Sequence, residues 1–434
     1  MNLHALLQAR AAAGRPVRAG LIGAGKFGSM FLSQVPSTPG LLVTAIADLS
    51  PDRARAACRT VGWDEDRLAA TAFVEDGSAL AARDDVEVVV DATGSPTAGV
   101  AHALAAIGNG KHVVMVNVEA DVLAGPALAR RARAAGVVYA MAYGDQPALV
   151  SEMVDWARAA GFRVQAAGKG TKYLPAYHKV TPDGVWPHYG LTVEQARAAG
   201  MNSQMFNSFL DGTKSAIEMA AIANACDLGV PADGLAFPPC GVDDLAHVLR
   251  PRAAGGQVEG EGMVEVVSSL ERDGRPVFRD LRWGVYVVFE APNDYAAACF
   301  RQYGLPTDST GRYAAMYKPF HLIGLELGIS VLSAALRGEP TGHSRVFRGD
   351  AVAVAKRPLA AGETLDGEGG YTVWGKLLPA ARSVAMKALP IGLAHGVALV
   401  RPVGEGAIIT RDDVAPLPQG EALDLRRETE AMAG

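Results

Sequence analysis

Gly23, Gly25 and Gly28 stand in the hexapeptide GAGKFG, with Lys26 and Phe27 between the second and third glycines. That spacing suits an anion. The first glycine allows a tight strand-to-helix turn, the second lets a pyrophosphate approach the backbone, and the third lets helix pack on strand. The N-terminus of the following helix then offers oriented N–H donors. Asp48, twenty positions after Gly28, is placed to accept hydrogen bonds from an adenosine ribose. Its charge favours NAD, whereas Arg53, five positions later, would neutralise the 2′-phosphate of NADP, so the cofactor is read as NADP or NAD.

Two further concentrations of reactive residue types follow. Residues 168–190, GKGTKYLPAYHKVTPDGVWPHYG, gather lysines, histidines, tyrosines and a tryptophan in a segment read as a loop after the strand FRVQAA. Such a loop suits a site better than a core. In DGTKSAIE, a helix running from Ser208 would place Asp211, Lys214 and Glu218 on one face. A solvated salt-bridging stripe is the plainer alternative. Arg279, Arg282, Arg312 and Lys318 add cationic density that suits a phosphate or carboxylate, or else a structural ion-pair network. His178, His188 and His321 read as structural, and no HxxxH or Asp-rich metal motif appears.

The elements that position these residues alternate along the front of the chain. Apolar runs at Val17–Ile22, LLVTAIAD, Val86–Val90, KHVVMVNVEAD and GVVYAMAY are separated by helical stretches, including about 97–109 and 124–135. This predicts an α/β fold with a doubly wound parallel Rossmann sheet. Ligands bind outside the carboxyl ends of such strands, which brings Thr93, Gly94, Asn117 and Glu119 to the cofactor crevice. The pattern changes after about residue 145 and again after the linker RGEPTGHS. The expected domains are therefore 1–145 (dinucleotide-binding), 146–345 (an α+β catalytic domain) and 346–434 (small and β-rich).

Composition excludes several classes. Lys and Arg number 41 against 46 Asp and Glu, a net charge of −5, so no basic field exists to hold nucleic acid. The most apolar helix candidate, residues 320–336, is interrupted by His321, Glu326, Ser330 and Ser333, which argues against a membrane span. Cys58, Cys226, Cys240 and Cys299 show no CxxC spacing, consistent with free thiols in a reducing compartment. The first residues, MNLHALLQARAAAGRPVR, lack a continuous apolar core of signal-peptide type. A cytoplasmic protein is expected, a homodimer, with a small anionic metabolite as partner.

GAGKFG, GKHVVMVNVEA, the strand–GKGTKYL unit and DGTKSAIEMAAIANA occur in the order found in homoserine dehydrogenases, which residues 17–230 resemble. The resemblance implies that Thr171 and Tyr173 contact substrate and that Asp211 and Lys214 form an acid–lysine pair beside it. Glu119 stands where that family carries a lysine, so Lys169 or Lys172 is the expected replacement, polarising a carbonyl while Asp211 and Lys214 relay a proton. Arg282, Arg312 and Lys318 are the expected anion ligands. The tail carries two imperfect copies of one element, AKRPLAAGETL and RPVGEGAIITRDDV, and resembles the SAF module. The combination resembles the deoxyxylulose-5-phosphate reductoisomerase-like family. That resemblance implies reduction of a phosphorylated sugar-like carbonyl in isoprenoid precursor synthesis. It also implies a divalent cation, Mg or Mn, for which Asp211, Glu218 and Glu119 are candidates without a compelling spacing. A plain polyol dehydrogenase and a non-catalytic NAD(P) sensor are the alternatives.

Overall fold

The computed structural model describes residues 2–433, which form two compact units. The first unit comprises the chain up to Glu152 together with His321–Arg345 and Gly420–Thr429. The second comprises Met153–Phe320, Val346–Gln419 and the last few residues. The division therefore differs from three consecutive domains at 145 and 345. Residues 346–419 join the middle of the chain, and residues 321–345 return to the front.

The strands of the first unit are β1 (Val17–Ile22), β2 (Leu41–Ala47), β3 (Ala72–Val74), β4 (Val88–Asp91), β5 (His112–Met115) and β6 (Tyr139–Met141). All six run parallel, in the order β3-β2-β1-β4-β5-β6. Their nearly continuous burial is what a parallel sheet covered on both faces requires. The core under β1 joins Leu21, Phe31, Val43 and Val90 to Leu327, Val331 and Leu332 from the returning segment. The helix after β5 spans Val118–Ala134, six residues earlier than the apolar pattern indicates. Asn117 explains the early start, because its side-chain oxygen accepts the Ala120 N–H at 3.0 Å and caps the helix.

In the second unit, the main sheet is built from β7 (Arg163–Thr171), β8 (Met263–Ser268), β9 (Val285–Glu290) and β10 (Tyr313–Lys318). Their order is β10-β9-β7-β8, with β7 parallel to β8 and antiparallel to β9. The segment GKGT is thus strand and not loop. Its glycines are there for close packing: a Cβ on Gly168 would lie 1.9 Å from the Glu265 carbonyl oxygen, and one on Gly170 1.9 Å from that of Leu281. Two antiparallel pairs complete the unit, β11 (Gly349–Ala355) with β13 (Val373–Pro379) and β12 (Thr364–Asp366) with β14 (His395–Ala398). The helix expected from Ser208 is broken. Ser203–Leu210 ends at Asp211, Gly212 takes φ +95°, and a new helix runs from Thr213 to Cys226. All four cysteines are free thiols, and no described helix is long and apolar enough to cross a membrane.

Candidate active site

The glycine loop of the first unit is built as an anion cradle. Gly23 has φ +94°, and a Cβ there would lie 2.8 Å from the Ala92 carbonyl oxygen. A Cβ on Gly28 would come within 2.2 Å of the Gly23 oxygen, so helix Lys26–Gln34 packs on β1 only with glycine at 28. Gly25 and Gly94 differ, since a Cβ on either would meet no protein atom within 4 Å. The open side at both positions is the space that a dinucleotide backbone contact needs, and the residues fit that cofactor. Lys26 is exposed in the first helical turn, while Phe27 packs partly against the core.

Asp48 lies just beyond β2, buried, with one oxygen accepting the Ala24 N–H at 3.1 Å. Its other oxygen accepts the Ser50 N–H at 3.0 Å and pairs with Arg53 at 2.6 Å. Arg53 is thus tied to Asp48 while most of its side chain stays exposed. At the ends of β4 and β5, Thr93 Oγ1 donates to Asp91 at 2.8 Å. Asn117 Nδ2 donates to Thr93 Oγ1 at 3.3 Å and to the Ser95 carbonyl at 2.9 Å. Asp91 also holds His102 at 2.7 Å. Thr93 and Asn117 are brought together by these bonds, and Glu119 lies in the first turn of the helix that Asn117 caps.

In the second unit, Lys169 forms an ion pair with Glu218 in which both side chains are nearly fully buried. Lys214 lies one helical turn before Glu218, on the same face of the helix. In the sheet, Lys169 pairs with Val285 and Val285 with Lys318, so both lysines project from one face; Thr171, two residues on, shares it. Lys169 and Glu218 are thus in contact, and Lys214 shares the helix face of Glu218. Asp211 does not join them. Its carboxylate caps Thr213 at 2.9 Å and pairs at 2.8 Å with Lys356, which sequence reasoning did not single out. Burial pushes the Asp211 carboxyl up, and the Lys356 charge opposes that. Lys356 spends its other donors on the Val180 and Gly370 carbonyls, so the pair is a closed structural joint rather than a proton relay.

Tyr173 stacks on Phe237 with centroids 3.9 Å apart, and its hydroxyl lies 3.0 Å from His178 Nε2. His178 Nδ1 is 2.6 Å from the Asp211 carbonyl oxygen, so Nδ1 carries the proton and Nε2 accepts from Tyr173. Trp374 stacks on that imidazole at 3.8 Å. Burial, with the charges of Lys356 and Lys376 assisting, holds His178 down at about 4, hence neutral at physiological pH. Lys356, Trp374 and Lys376 come from the C-terminal segment, where Lys356 closes the apolar run GDAVAVA.

The expected anion trio is not a trio. Arg312 lies at the opposite end of β10 from Lys318, six residues or about 20 Å away. It pairs there with Asp294 at 2.5 Å and with Glu290 at 3.5 Å. The carboxylates proposed for a metal fare similarly: Asp211 faces Lys356 and Glu218 faces Lys169, and Glu119 belongs to the other unit. Among the described residues, no three His, Cys, Asp or Glu side chains group as a metal site. These residues do not fit a divalent cation.

Residues 17–142 match the NAD-binding Rossmann fold of an oxidoreductase family, and residues 144–327 match the catalytic domain of oxidoreductase DRL. Two domain matches thus follow one another along the chain, an NAD-binding Rossmann fold and an oxidoreductase catalytic domain. No curated protein matches it. Among solved structures it is similar to KijD10, a 3-ketoreductase from Actinomadura kijaniata in complex with NADP. The identity is 24% over 36% of this chain and 50% of that one, with a TM-score of 0.26. The chain thus aligns with about half the length of KijD10. It is also similar to a probable dehydrogenase from Thermotoga maritima, with 15% identity, 75% and 90% coverage and a TM-score of 0.39. A third is myo-inositol dehydrogenase from Lactobacillus casei, with 14% identity, 63% and 71% coverage and a TM-score of 0.34.

Proposed function

We propose that the chain reduces the carbonyl of a small, polyhydroxylated, anionic metabolite, with Lys169 as the group that meets the carbonyl oxygen. The observation that carries this reading is the buried Lys169–Glu218 pair at the carboxyl end of β7, with Thr171 on the Lys169 face of the strand and Lys214 on the Glu218 face of its helix. Unlike Lys356, whose remaining donors go to the Val180 and Gly370 carbonyls, the Lys169 ammonium donates only to Glu218 among the described residues, which leaves donors for a carbonyl oxygen. Bound NADPH or NADH would be held by Gly23, Gly25 and Asp48 and would supply a hydride. The Lys169 ammonium hydrogen-bonds the carbonyl oxygen and yields it a proton as negative charge develops there. Glu218 keeps that ammonium aimed, and Lys214 adds positive field along the same helix face. Tyr173, oriented by neutral His178, lines the substrate side.

A phosphorylated sugar-like compound such as 1-deoxy-D-xylulose 5-phosphate is the first substrate to test, on the strength of the reductoisomerase-like and homoserine-dehydrogenase-like motif order. A second reading is reduction of a polyol aldehyde or semialdehyde without rearrangement. It is favoured by the occupation of Asp211 and Glu218 by lysines, which leaves neither to hold vicinal oxygens through a cation. The SAF-like tail contributes by closing Lys356 over Asp211. NADPH and NADH oxidation should be followed against these substrates, with and without magnesium. In Lys169→Met, kcat should fall by about 100-fold or more while NADPH affinity is retained; undiminished turnover removes Lys169 from the mechanism.

A further inference from the structure

Lys172 and Arg282 present an arrangement that the Lys169 centre does not use. Gly170 brings them together. Its N–H donates to the Gly284 carbonyl at 3.0 Å, and its missing Cβ lets the Leu281–Arg282 backbone press against β7. Lys172, two residues on, gives its ammonium to the His188 carbonyl. Arg282 lies 4.6 Å from the Trp283 ring centroid and 5.9 Å from that of Tyr189. The adjacent Asp280 carboxylate is spent on the Arg282 backbone N–H at 2.8 Å. Neither cation forms an ion pair with a carboxylate among the described residues, whereas Arg163, Arg250, Arg312 and Lys356 each do.

Both side chains are half-buried. Burial and then the Arg282 charge push the Lys172 ammonium down, and burial, with the Lys172 charge assisting, does the same to His188. Both cations meet the same short stretch, Lys172 at the His188 carbonyl and Arg282 over the Tyr189 ring, and like charges so gathered without a counter-ion are unfavourable unless an anion completes the set. Their summed charge of +2 matches a phosphate monoester, which carries about −1.5 to −2 at neutral pH, better than a single carboxylate. Arg282 offers a planar fork for two phosphate oxygens, and Lys172 a point charge.

We propose that Lys172 and Arg282 form a two-cation clamp for a phosphate monoester on the substrate, and so determine specificity rather than polarise the carbonyl. Only the word substrate rests on the reductase reading; the anion site itself is read by binding. The test titrates inorganic phosphate into the full-length protein saturated with NADPH, so that the glycine loop is already filled, and measures heat of binding. Wild type and the control Lys179→Met, whose lysine pairs with Glu405 at the surface, should bind alike. Lys172→Met and Arg282→Gln should each weaken phosphate by about tenfold or more, and Lys172→Arg should recover most of it. Acetate, a monoanion, should bind about tenfold more weakly than phosphate. Equal phosphate affinity in all variants overturns the clamp, and acetate binding as well as phosphate overturns its assignment to a dianion. A protein that binds phosphate through this pair but oxidises no NADPH would refute the reductase reading alone.

Discussion

At the scale of single residues, the glycine loop separates two jobs that the motif alone runs together. Gly28 is required by packing, with the Gly23 oxygen 2.2 Å from where its Cβ would stand, whereas the Cβ of Gly25 would enter open space. Gly28→Val should therefore fail to fold or unfold far more readily than wild type. Gly25→Val should keep its thermal midpoint and lose about tenfold or more in NAD(P) affinity. Differential scanning fluorimetry and cofactor fluorescence titration measure the two, and a Gly25→Val protein that binds cofactor normally would contradict the cradle. This loop and Asp48 were legible in the sequence because their contacts are local. Lys356 was not: its partner Asp211 is 145 positions away, and nothing in local spacing reports which lysine a folded tail brings back.

At the scale of elements, periodicity located the helices and misplaced their ends, since it sees apolar faces and not caps. Asn117 starts its helix early, and Gly212, in the left-handed region, ends what pattern alone would continue. The early start puts Asp121 inside the sheet unit, where Tyr139 donates to it at 3.0 Å and Ser344 at 2.8 Å. Burial outweighs both bonds and raises its carboxyl from 3.8 to about 6. A raised folded-state value favours the protonated form. Stability from this group is thus complete below about pH 4 and is lost as pH rises to about 6. Asp121→Asn, which offers one oxygen to one hydroxyl and an amide N–H that donates to the other, should stabilise the protein at pH 7.5 by on the order of 2 kcal/mol and leave it unchanged at pH 4. Urea titrations at the two pH values check this, and a gain equal at both would show that ionisation is not the cause. The GKGT strand was hidden for a different reason: glycines that commonly mark loops here admit neighbouring carbonyls.

At the scale of the whole molecule, the parallel Rossmann sheet was readable from alternation alone, while the grouping of segments into two units was not, because it depends on long-range returns of the chain. The joint between Asp211 and Lys356 makes the C-terminal segment part of the second unit's interior. Lys356→Met should cost about 3–5 kcal/mol by stranding a buried carboxylate, and adding Asp211→Leu should restore much of that. Chemical denaturation of the two variants decides it: a double variant no better than the single one would mean that the ion pair is not the source of the loss. The first unit has its own long return. Leu327, Val331 and Leu332 complete the core beneath β1, although the last strand of that sheet ends at Met141. On the ribosome, the nascent Rossmann sheet must therefore wait for nearly two hundred further residues, roughly 10–40 s at ordinary elongation rates, before its apolar underside is covered. For that interval it is a natural client for chaperones, and a chain stalled near residue 300 should be captured by them more readily than one released at full length.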